Sequence, residues 1–242
     1  MTNSIYLEKL LDDKNKKLWN SLIETEEIVI SVDDYQSYGV YSESNHHTIE
    51  VPLNDFKSSS FAHELLHIHL SKCGVNVAGC IEILSSNNPK VRKIFSRDLI
   101  DNIGNNLNHM KMVNLFLELG YEIEEFIDDY NINKGKHQQF SQLQNYFCFN
   151  HHGRKVYLDK AIDVYIGIYF SAKACPNKSF NYATFYDDLR NIDFELIEIL
   201  ERYISAWDKY DYNNRLESYH LFTANFIKEI ELWCDGKEIF SA

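Results

Sequence analysis

FAHELLHIHL, residues Phe61 to Leu70, decides how the rest of the chain is read. It holds three histidines and one glutamate among large apolar residues. His63, Glu64 and His67 form the pattern H-E-x-x-H. On a helix, residues four apart share a face, so both imidazoles can reach one metal ion. Glu64 falls about 100° round from His63, beside such an ion rather than on it. There it can take a proton from an attacking water. His69 points away from the direction that His63 and His67 share, so it reads as a packing residue or one that supports the ligands from behind. The flanks Phe61, Ala62, Leu65, Leu66, Ile68 and Leu70 predict a buried helix. Burying two histidines and a glutamate there is costly unless they have partners, and a metal is one.

Working outward, Ser58 to Ser60 can cap this helix, and Gly74 stands just past an end near Lys72. Before it lie IVISV (Ile28–Val32), YGVYS (Tyr38–Ser42) and HTIEVPL (His47–Leu53). They are short, rich in β-branched and aromatic residues, and divided by polar turns. They predict a small N-terminal antiparallel sheet whose last strand ends, or lies at an edge, at Pro52. A helix is expected over 5–24. After residue 58 the chain reads as helical to its end. A long stretch opens at Asn88-Pro89 and closes at Gly120, with Gly104 as a potential kink. Later helices are expected near 121–130, 137–147, 156–173, 184–209 and 213–234. The fold class is α+β, mainly α. We expect one domain over 1–242, with sheet and metal-site helices in 1–120 and a helical extension in 121–242.

HELLH resembles the active-site helix of the zincin metallopeptidases, and the resemblance spans roughly residues 28 to 120. It implies one Zn²⁺ per chain, Glu64 as general base, a peptide or protein substrate, and an edge strand above the site, for which HTIEVPL is placed. The metzincin branch continues with a glycine and a third histidine. Here Leu70 and Cys73 occupy those positions. Gluzincins take the third ligand from a second helix. In SRDLIDNIGNNLNHMKMVNLFLELGY (Ser96–Tyr121) the one histidine is His109. Asn105 and Asp101 lie one and two turns earlier, where either could orient the ring. His109 is therefore the third-ligand candidate, and Glu118, Glu124 and Glu125 are the alternatives. Glu124 and Glu125 stand in the acidic run EIEEFIDD, which also reads as a solvated face.

The remaining composition narrows the function. The formal charge of the 242 residues is −12, which disfavours nucleic acid as a partner. No apolar run reaches the length of a membrane span, and the first residues lack the pattern of a signal peptide. Five scattered cysteines without a C-x-x-C suit reduced thiols, hence a cytoplasmic protein. His46-His47 and His151-His152-Gly153-Arg154 read as surface, the latter pair in a loop. Sixteen tyrosines leave the choice of an oxyanion donor open. There is no phosphate-binding loop, dinucleotide fingerprint or nucleophile elbow. The expectation is a zinc-dependent hydrolase. The alternatives are a catalytically silent, zincin-like metal-binding regulatory protein and a chance motif in a metal-free helical protein.

Overall fold

The computed structural model describes residues 4–136, 138–214 and 218–241. In chain order its elements are α1 (Ser4–Leu10), α2 (Lys16–Leu22), β1 (Glu27–Asp33), β2 (Gly39–Glu43), β3 (His46–Pro52) and α3 (Ser58–Lys72). Then come α4 (Val77–Ser86), α5 (Val91–Ile94), α6 (Arg97–Glu118) and α7 (Gln138–Tyr146), followed by β4 (Cys148–His151) and β5 (Arg154–Leu158). Last are α8 (Asp159–Ala174), α9 (Ala183–Ile192), α10 (Phe194–Lys209), α11 (Tyr219–Cys234) and β6 (Glu238–Phe240). The class is α+β and mainly helical, as expected. The chain groups into two compact units, Met1–Val75 with Lys111–Asn131, and Asn76–Met110 with Ile132–Ala242. The continuous helix α6 contributes to both.

The first unit carries the sheet β1-β3-β2. It is mixed, not antiparallel: β1 runs parallel to β3, and β2 antiparallel to it. The tight turn at Ser44, with φ of +54°, and Asn45 joins β2 to β3 and fixes that hairpin. β3 is therefore the central strand, and Pro52 is its last residue. Both its edges are paired, so HTIEVPL offers no free backbone for strand addition. The edge strands are β1 and β2. His47, Ile49 and Val51 alternate inward, and Ile49 and Val51 join Phe61, Leu65 and Ile68 of α3 in one core with Trp19 and Leu22 of α2.

The helix expected over 5–24 is two helices because Asn15 stops the first. Its side chain donates to Leu10 O (2.9 Å) and Ser58 O (3.1 Å) and accepts from Asp12 N (3.0 Å). Asn15 is wholly buried. Asn15→Ala is expected to cost about 2–3 kcal/mol of stability in urea denaturation, because it leaves buried carbonyls unpaired. α3 itself begins after Lys57, with no side-chain cap. The serines sit in its first turn instead of capping it.

In the second unit the stretch from residue 89 is also divided. Ser96 Oγ accepts from Leu99 N (3.0 Å) and starts α6 after a break at Phe95. α4, within the stretch read as helical but given no bounds of its own, packs on Gly104, where a Cβ would come within 2.8 Å of Ala78 Cβ. Gly104 thus marks a close helix approach and not a kink, and α6 is uninterrupted. Gly104→Leu is expected to destabilise by about 1–3 kcal/mol through overpacking, read by thermal denaturation. Residues 184–209 form two helices, because Asp193 is extended and its Oδ1 caps α10 at Leu196 N (2.9 Å). Residues 121–130 hold a single 3-10 turn at Ile123–Glu125 instead of a helix. The helix expected from 156 begins as strand β5. β4, β5 and β6 form a second sheet absent from the sequence reading. His152 (φ +49°) and Gly153 (φ +79°) make its hairpin turn. His137 and residues 215–217, within the expected helices 137–147 and 213–234, lie outside the described residues. All five cysteines are free thiols, and among the described residues no helix is long and apolar enough to cross a membrane.

Candidate metal centre

α3 forms because residues 58–72 contain no glycine or proline, and Gly74, at φ +83°, ends it. One stripe, Phe61, Leu65 and Ile68, is spent on the sheet core. His63 and His67 occupy another stripe four residues apart. Their Nε2 atoms lie 3.2 Å apart. α6 supplies His109, and the ring nitrogens of His63, His67 and His109 lie within 4.8 Å of one another. This group of three could hold a metal ion, and it is the one such group of metal-binding side chains among the described residues. Two ligands at about 2.0–2.1 Å in tetrahedral geometry stand about 3.3 Å apart. The His63–His67 spacing already fits that bite, in keeping with a group that could hold a metal ion.

Burial keeps His63 and His67 uncharged. Burial pulls His63 down to about 4, against a hydrogen bond to the Phe126 backbone that acts the other way. Burial, then the neighbouring His63, pulls His67 well below the ordinary imidazole value. Metal binding requires neutral imidazole, and the pair is neutral well below pH 7. Glu64, only 6% exposed, is pushed up to about 8 by burial and by Asp128. It therefore holds a proton near neutrality until a positive charge arrives.

The sequence did not point to Phe126. Its ring packs on His63 with centroids 4.9 Å apart, and it meets Phe116 at 5.2 Å. Gly120, at φ +94°, reverses the chain so that residues 121–130 follow α6 in this way. Tyr121 Oη donates to Asp12 (2.8 Å), which pins that return. A lone phenylalanine inside EIEEFIDD was the available signal: the acidic residues face solvent and Phe126 is buried.

The competing ligands fall away on exposure. Glu118, Glu124 and Glu125 are exposed, and none joins the group. Glu125 instead caps the 3-10 turn through Glu122 N (3.2 Å). Asp101 pairs with Arg97 (3.0 Å), and Asn105 is exposed. His69 stays outside the group, as its angle predicted, and Cys73 Sγ lies 3.9 Å from it at the end of α3. Tyr38 feels the charge of Glu64, but its hydroxyl is held between Asp55 O and Lys57 N. His46 is exposed and paired with Glu27 (2.8 Å), whereas His47 is buried, contrary to the surface reading. His151 and His152 end β4 and form the hairpin turn. No protein-family model, no curated protein and no solved structure matches the chain.

Proposed function

We propose that the chain is a zinc-dependent hydrolase of the metallopeptidase kind, similar to the zincins in its HELLH helix. The observation that carries this reading is the convergence of His63, His67 and His109 beside a buried glutamate. These three side chains would hold one Zn²⁺, which when bound supplies Lewis-acid polarisation of the reacting oxygens. Glu64 accepts a proton from the attacking water and returns it to the leaving amine. The bound cation's charge would leave the carboxyl ionised and so able to take that proton. His63 is held in orientation by Phe126, whose ring and backbone also exclude water from that side.

The test is digestion of an unbiased peptide library by zinc-loaded and chelated protein, with metal content measured in parallel. About one zinc per chain and zinc-dependent cleavage at defined bonds are expected. Stoichiometric zinc without any cleavage would favour the second reading, a silent metal-binding regulatory protein. The burial of His63 and Glu64, both under a tenth exposed, is what favours that reading. Absence of bound zinc after supplementation would rule out both.

A further inference from the structure

Outside the metal centre, two side chains of the first sheet and one just before β1 form a second array. Ser42 on β2 and His47 on β3 are direct cross-strand partners, so their side chains share a face. Ser42 Oγ lies 2.8 Å from His47 Nδ1, and His47 Nε2 lies 3.2 Å from Glu26 Oε2. The burial is graded. Ser42 is exposed at the rim, the Glu26 side chain is 10% exposed, and the His47 side chain is fully buried. Burial works against the Glu26 carboxylate, yet hydrogen bonds from Thr25 and His47 hold it below its ordinary value. An ionised carboxylate only accepts hydrogen bonds. With His47 Nε2 donating to that carboxylate, Nδ1 is left to accept from the Ser42 hydroxyl. That is a nucleophile on a base oriented by a third group.

We propose that Ser42, His47 and Glu26 form a second, metal-independent nucleophilic site that takes small activated acyl esters. Ser42 Oγ bonds to the acyl carbon while its proton passes to His47 Nδ1. The bond from that carbon to the leaving alcohol's oxygen breaks, and the alcohol takes the proton from His47. Water repeats the sequence on the acyl-serine and releases the acid. The two ring nitrogens exchange the places they hold in the serine-protease arrangement, which is defined by geometry and roles. Glu26 is a positioning residue. The exposed position of Ser42 at a strand end favours small substrates, and the array shares no residue with the metal centre.

The experiment uses the full chain with Glu64→Gln in a chelating buffer, so that metal-dependent hydrolysis is silent. A fluorophosphonate probe and p-nitrophenyl acetate are applied, and adducts are mapped by mass spectrometry. One adduct on Ser42 is expected, absent in Ser42→Ala. Its rate should fall about 100-fold in His47→Gln and at least about tenfold in Glu26→Gln. Glu26→Asp should restore part of the loss, which a merely structural role would not do. Should the buried His47 variant not fold, the Glu26 pair decides. An unlabelled Ser42, or a Ser42 rate unchanged in folded Glu26→Gln, overturns the proposal.

Discussion

Glu64→Gln is expected to lower peptide hydrolysis by about 10²–10⁴-fold, the usual worth of a positioned general base, while zinc content stays near one per chain. Glutamine keeps the shape of the side chain and leaves His63, His67 and His109 in place, so the metal stays. What it loses is the capacity to take a proton. Turnover against the library and zinc by elemental analysis, on the same preparation, check both halves. Full activity in the variant would remove Glu64 from the mechanism. Loss of zinc would mean that Glu64 acts as a ligand.

The same substitution should stabilise the metal-free protein, and the sign follows from linkage. The Glu64 carboxyl is raised from 4.5 to about 8 on folding. Below pH 4.5 it is protonated in both states and has no effect. As pH rises from 4.5 towards 8, the unfolded chain loses the proton and the folded chain keeps it, so stability falls. By pH 7 the loss amounts to about 3 kcal/mol. Glutamine has no proton to lose, so Glu64→Gln should recover most of it in urea melts of chelated protein. His63 acts in the opposite direction. Lowered from 6.5 to about 4, its contribution is complete above pH 6.5 and is lost as pH falls towards 4. At pH 7 the difference between wild type and variant therefore isolates Glu64. Equal stabilities at pH 7 would mean that the carboxyl has a partner that neutralises its burial. A functional side chain that destabilises its own fold is the usual trade between activity and stability.

Local patterns carried more of this molecule than long-range ones. The spacing of His63 and His67 and the apolar flanks of Phe61–Leu70 depend only on helix periodicity, and both were legible. His109 was reachable because α6 contains a single histidine. Strand pairing was not legible. Ile28–Val32 and His47–Leu53 look alike as strands, and nothing local says that β1 runs parallel to β3 with β2 on the far side. The same holds for β6, three residues at the chain's end that pair with β5 about eighty positions earlier. Helix breaks at Asn15, Ser96 and Asp193 were missed because each is set by one side chain capping or blocking the backbone. Phe126 was missed because its acidic neighbours dominate the composition of its segment.

His109→Ala is expected to weaken zinc binding by more than the 10–100-fold that loss of an outer partner causes, because it removes one of three donors. At a free zinc concentration 100 times the wild-type dissociation constant, zinc should stabilise the wild type by about 2.7 kcal/mol. After a loss greater than 100-fold, the same zinc should stabilise His109→Ala by less than about 0.5 kcal/mol. The metal-free variant should remain folded, since His109 is only half-buried and its cavity would be shallow. Glu118→Gln and Asn105→Ala form the contrast. Both residues are exposed, and Glu118 lies outside the ligand group, so their zinc-induced shifts should match wild type. Competition with a chelator of known affinity measures all four proteins on one scale. Should Glu118→Gln lose zinc while His109→Ala keeps it, the third donor is the glutamate and α6 must present its C-terminal end to the ion. Should His109→Ala alone lose it, α3 and α6 together define the centre, and the H-E-x-x-H helix is completed by a histidine 42 residues downstream of His67.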